Sequence, residues 1–161
     1  MALNTELLIT LQQLKGFGNK TILELSKVLT AKTIDDLCEE WRLLKGKKYA
    51  KVKEYDLRRA NQLACRIIEA SEFEGIGIIS YFEDVFPAIL KTCVDEEGKL
   101  NPPIVLYYRG EISALNKPGV AVIGTREPTA IGTEAGIFFA RELAKRGFNI
   151  VSGLAVGCDT T

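Results

Sequence analysis

The sequence has no histidine among its 161 residues and no cysteine pair in CxxC spacing. Without an imidazole, histidine general-base chemistry and the usual catalytic triads are excluded. The four cysteines, Cys38, Cys65, Cys93 and Cys158, stand far apart. A metal would need thiolates or carboxylates drawn from distant places, so no metal or other cofactor is expected, and the cysteines read as reduced, mostly buried thiols. No apolar run approaches the roughly 18 residues of a membrane span, which leaves no membrane partner to expect. The opening MALNTELLIT carries an acid and no basic leader, unlike a signal peptide, and a cytoplasmic location is the default expectation.

Net charge is also missing: 21 Lys and Arg balance 21 Asp and Glu. The balance hides an asymmetry. Residues 1–60 hold 12 basic and 8 acidic residues, or +4, and residues 61–161 hold 9 and 13, or −4. Arg42 to Arg59 alone carries eight basic residues and two acids. Such a run is either a solvated helical face or an electrostatic footprint for a polyanion, and charge alone does not separate the two.

What is present first is helical periodicity. Leu7, Leu8, Leu11 and Leu14 share one face, and Gly16 and Gly18 break the pattern. Asn19 is placed to cap a second helix with Ile22, Leu25 and Leu29 inward. Thr33 and Asp36 have capping-box spacing before a third, with Ile34, Leu37, Trp41 and Leu44 on one face. A fourth pattern runs from about Ala50 to Phe73, with Leu57, Leu63, Ala64, Ile67 and Ile68 inward. Residues 1–72 are therefore expected to form an all-helical domain.

From residue 73 to 161 the pattern changes. GIGIISYF and IVLYY read as strands around Ile76–Tyr81 and Ile104–Tyr108, and Val120–Ile123 as another. A helix from about Ile131 to Arg146 follows, with Ala135, Phe138, Phe139 and Leu143 as core candidates. FNIVS then forms a strand expected to lie parallel beside Val120–Ile123. The fold class expected is α/β: an incomplete, mainly parallel Rossmann-like sheet preceded by a small helical domain.

Two stretches carry chemistry. In LKGFGNKT, Gly16 and Gly18 permit a tight hairpin, after which the N–H groups of Gly18, Asn19, Lys20 and Thr21 would face outward, with Lys20 adding charge. This resembles the helix-hairpin-helix motif, which grips DNA backbone without reading bases; the alternative is a plain glycine-containing turn. In VAVIGTREPTAIG, a strand ending in Gly124 puts Thr125 and Arg126 at the carboxyl edge of the sheet, where open α/β sheets bind ligands. Gly132 and its helix could supply N–H donors, and Ser152-Gly153 at the end of the next strand could join them. The spacing is not GxGxxG, and no acid ends the following strand to hold a ribose. A phosphodiester, gripped by the planar guanidinium of Arg126, fits better. The alternative is an Arg126 paired with Glu127 or another acid.

VAVIGTREPTAIG and ELAKRGFNIVSGLAVGCD, with FEDVFPAIL and PPIVLYYRG before them, together resemble the DprA/Smf (DNA-processing protein A) family from about Gly75 onward. The resemblance implies a Rossmann-like protein that binds single-stranded DNA and helps load RecA recombinase onto it in transformation or recombination. It implies no catalytic residue. Its motifs map to Gly124, Thr125, Arg126 and Gly132, and to Ser152, Gly153, Ala155, Gly157 and Asp159. Ile131 stands where the family commonly has an aromatic, and Cys158 where it commonly has isoleucine. Family members are homodimers and continue well beyond the second motif, so this chain is expected to be either a fragment of a longer protein or a truncated gene product, lacking the dimer-forming part. Two other functions compete. A nucleotide phosphoribohydrolase of related fold would need a PGGxGTxxE segment, which is not in the sequence. A helical DNA-binding adaptor would use only residues 1–72, with the α/β part a remnant.

Overall fold

The computed structural model describes residues 3–160. These fall into two compact units, Met1–Gly110 and Glu111–Thr161. The division lies after Gly110 rather than after residue 72, because the first two strands pack onto helices of the first unit.

The first unit is organised around α1 (Thr5–Gln12), started by Asn4, whose side chain accepts the Leu7 N–H at 2.9 Å. Leu7, Leu8, Ile9, Thr10 and Leu11 are all buried, so α1 is enclosed on every side. Its one buried hydroxyl is satisfied: Thr10 Oγ1 donates to the Glu6 carbonyl at 2.8 Å and accepts from Asn61 Nδ2 at 3.1 Å. Around it stand α2 (Asn19–Leu25), α3 (Ile34–Leu43), the single turn α4 (Lys47–Ala50) and α5 (Glu54–Phe73). The expected fourth pattern, from about Ala50 to Phe73, is α5, which begins at Glu54; α4 is a separate turn before it. The capping box is present at α3, with Thr33 Oγ1 accepting the Asp36 N–H and Asp36 accepting the Thr33 N–H. At α2 the cap is Gly18, and Asn19 is the first helical residue. Leu63, expected inward, is 40 % exposed.

β1 (Gly77–Ser80) and β2 (Val105–Tyr108) pair antiparallel, Gly77 opposite Tyr108 and Ser80 opposite Val105. Ile104 and Val105 join the helical core. Glu83 ties this ribbon to α1: its Oε1 accepts from the Thr5 hydroxyl, the Ser80 N–H and the Ser80 hydroxyl at 2.8–2.9 Å.

The second unit is one β–α–β turn. β3 (Gly119–Ala121) lies parallel to β4 (Asn149–Val151), in the register Gly119–Asn149, Val120–Ile150, Ala121–Val151. Between them in sequence comes α6 (Ala130–Lys145). This is the expected parallel pair and the incomplete Rossmann-like part; β1 and β2 form a separate antiparallel ribbon. Phe138 and Phe139, read as core, are each 59 % exposed. Helical spacing half-buries Thr133, Gly136, Ile137 and Ala140 instead, and two strands are too few to cover the opposite face. Of the thiols only Cys38 is buried; the others are half-buried.

Candidate nucleic-acid interface

At the carboxyl ends of β3 and β4 two loops meet. The first holds Gly124, Thr125 and Arg126; the second runs from Ser152 to Asp159. Asp159 clasps them, its Oδ1 accepting the Gly124 N–H at 3.2 Å and its Oδ2 the Gly153 N–H at 3.0 Å. The Cys158 N–H donates to the Thr125 carbonyl at 3.1 Å. Close approach makes two glycines obligatory here. A β-carbon on Gly124 would stand 2.7 Å from Cys158 Cβ and Sγ. One on Gly157, whose φ is +109°, would stand 2.4 Å from the Thr125 carbonyl oxygen and 2.6 Å from Arg126 Cα. Gly157 therefore sets where the Arg126 backbone lies.

The exposed Arg126 makes no ion pair with another described residue; the Glu127 N–H instead donates to Thr125 Oγ1 at 3.3 Å. Gly132 differs from the expected donor role, because its N–H is already capped by Thr129 Oγ1 at 3.1 Å. The open donors at the start of α6 are those of Ala130 and Ile131, which precede the first intrahelical donor, the Thr133 N–H on the Thr129 carbonyl at 2.9 Å. Ser152 Oγ lies 3.4 Å from the Asp159 carbonyl, and Ile131 is 80 % exposed. Beneath the clasp, Arg141 of α6 lines a cavity of about 180 Å³ with Ser152, Cys158 and Asp159. Sequence reasoning gave Arg141 no place and Asp159 no job; the motif contained the acid, but only the fold shows which N–H groups it holds.

In the first unit, the hairpin expected at Gly16–Thr21 is present. Gly16 turns at φ +82°, and the Phe17 N–H donates to the Leu14 carbonyl at 3.1 Å. Phe17 is buried against Trp41 and Tyr49, ring centroids 5.7 and 6.3 Å away, which fastens the loop to α3 and α4. Lys20 faces away from the hairpin's inner side, toward Asp95, Glu96 and Glu97. Thr21 Oγ1 accepts from Lys48 Nζ at 2.8 Å. The inner side is lined by Lys15, Gly16, Phe17 and cations of α4 and α5, which no residue-by-residue reading of the hairpin located.

Residues 77–161 match the family model described as DNA recombination-mediator protein A. The chain is 35 % identical over 95 residues to the DNA processing protein DprA of Bacillus subtilis (strain 168), covering 58 % of this chain and 30 % of that one. Over 63 residues it is 44 % identical to Protein Smf of Synechocystis sp., covering 37 % and 16 %. The X-ray structure of DNA processing protein A from Streptococcus pneumoniae superposes with a TM-score of 0.65 at 22 % identity, covering 99 % of this chain and 52 % of that one. That likeness is one of fold. The chain spans less than a third of the length of these curated relatives.

Proposed function

Because the chain belongs to the DNA recombination-mediator protein A family, we propose that it binds single-stranded DNA by its backbone, as a mediator of recombination and not as an enzyme. The observation that carries this reading is the clasped edge itself: Gly157 seats the Arg126 backbone, and Arg126 stands exposed there with no carboxylate partner among the described residues. A guanidinium left unpaired beside open helix N–H groups suits a diester phosphate. In this reading Arg126, with the Thr125 hydroxyl and the Ala130 and Ile131 N–H groups, touches the phosphate. Gly124, Gly132, Ser152, Gly153, Gly157 and Asp159 hold that edge in shape. Hand-over of the strand to RecA recombinase, and assembly as a homodimer in longer members of the family, belong to the same proposal.

The test is equilibrium binding of labelled oligo(dT) and mixed-sequence strands to the wild type and Arg126→Ala. Loss of one charge-assisted contact should cost about 1.5–3 kcal/mol, roughly 10- to 150-fold in affinity. The loss should be alike for both strands, since backbone contacts position without specifying. A wild-type chain that binds neither strand at low salt would overturn the reading.

A further inference from the structure

Six of the eight cations in the basic run Arg42–Arg59 fall into two groups in the folded chain. Arg42 pairs with Glu54 at 2.6 Å, and Arg58 pairs with Glu54 and Asp35 at 2.8 Å. These guanidiniums tie α3 to α5 and are neutralised where they stand. Lys47, Lys48, Lys51 and Arg59 have no acidic partner within ion-pair distance among the described residues. Together with Lys15 from the hairpin they line one open cleft of about 760 Å³. The acid in that lining, Asp56, is engaged in starting α5, where its Oδ2 accepts the Lys53 N–H at 2.8 Å. Five cations against one occupied carboxylate is a concentrated positive field at a concave surface.

The cleft is also held in shape. Phe17, Trp41 and Tyr49 form an aromatic cluster, and Trp41 Nε1 donates to the Tyr49 carbonyl at 3.2 Å, fixing α4 beside the hairpin. Lys48 spans the two, with its ammonium 4.8 Å from the Phe17 ring centroid and bonded to Thr21.

We propose that this cleft is a second nucleic-acid site, which grips the sugar–phosphate backbone of double-stranded DNA without reading its bases. Lysine ammoniums are compact point charges that meet phosphates from many directions, whereas base recognition calls for fixed bidentate groups. The aromatic ring in the lining, Phe17, is only 7 % exposed. It therefore offers no platform on which unpaired bases could stack, the contact that favours single strands. A duplex presents one charge per roughly 1.7 Å of its axis, so a tight group of cations gains most from it. A lipid surface would call for an apolar stripe beside the charges; here Leu63 is 40 % exposed and its lining neighbours Leu14 and Ala60 are buried. The site rests on different residues from the Arg126 edge and stands or falls separately.

The experiment uses the whole chain, with a short blunt-ended duplex and oligo(dT) as probes in parallel salt titrations. Lys47→Gln/Lys51→Gln/Arg59→Gln should weaken duplex binding about tenfold or more at low salt and flatten its log–log salt slope by about 2–3, near 0.9 per lost phosphate contact. Oligo(dT) binding by that variant should match the wild type. Arg42→Gln, which removes a paired cation of the same run, should leave duplex binding unchanged. If far-UV circular dichroism shows the triple variant misfolded, Lys47→Gln/Lys51→Gln on the exposed turn replaces it, with an expected slope change of about 1.8. A folded variant that binds duplex with wild-type affinity and slope overturns the proposal. So does a wild-type chain that binds phosphatidylglycerol vesicles while ignoring the duplex. Loss of oligo(dT) binding in Arg126→Ala bears only on the other site.

Discussion

A β-carbon at Gly157 would collide with main-chain atoms of Thr125 and Arg126, and backbone cannot swing aside as a flexible side chain can. Its φ of +109° adds strain for any L side chain. Gly157→Ala should therefore displace the Arg126 loop and weaken oligo(dT) binding about as much as Arg126→Ala, leaving the helical circular dichroism signal in place. Wild-type binding by Gly157→Ala would contradict the positioning role. At this scale the motif residues were legible in the sequence, but their partners were not. Gly132 was readable as a helix-start glycine; that Thr129 takes its N–H depends on the turn before α6. Asp159 was visible as a motif acid, yet the two N–H groups it accepts lie 35 and 6 residues away. Local chemistry does not encode such distant pairings.

Between elements, the most consequential tie in the first unit is Glu83, which joins the end of β1 to the start of α1. Partial burial pushes its carboxyl upward, but the Ser80 N–H, the Ser80 hydroxyl and the Thr5 hydroxyl outweigh that and hold it below the ordinary glutamate range. A depressed folded-state value means stability that is present above the unfolded value and lost as pH falls through the folded one. Glu83→Ala should cost about 1–3 kcal/mol in urea unfolding at neutral pH. The gap to wild type should close as pH drops below the ordinary glutamate range; a gap that persists at acid pH would contradict the account. Elements with strong periodicity were readable: α1, α2, α3 and α5 fall where apolar spacing puts them. α4 was not, because a single turn of Lys47–Ala50 has too few residues to show a period. The buried face of α6 was not legible for another reason. Spacing marks Phe138 and Phe139 as apolar, but burial depends on how many strands stand opposite, and here there are two.

Across the whole molecule, burial is unequal. The core cluster lies within Met1–Gly110, and no described residue from Glu111 onward is fully buried. Ile131, Phe138, Phe139, Leu154 and Val156 are each more than half exposed. Hydrogen exchange should protect α1 and α5 most strongly, with amides of β3, β4 and α6 opening at least about tenfold more readily. Sedimentation should show association as concentration rises, driven by the open sheet edge and these apolar groups. A monomer at high concentration with uniform protection would contradict this. Composition alone could signal an ordinary globular chain, but not that one unit holds nearly all the buried apolar surface. The claim that joins both motifs to function is that Arg126 meets a DNA phosphate. It is tested most directly by a salt titration of labelled oligo(dT) binding to wild type, Arg126→Ala and Arg126→Lys. The account predicts that alanine flattens the log–log slope by about 0.7, the share of one single-strand phosphate contact, and that lysine restores the slope with only part of the affinity. If alanine leaves both affinity and slope at their wild-type values, Arg126 touches no phosphate and the account is wrong.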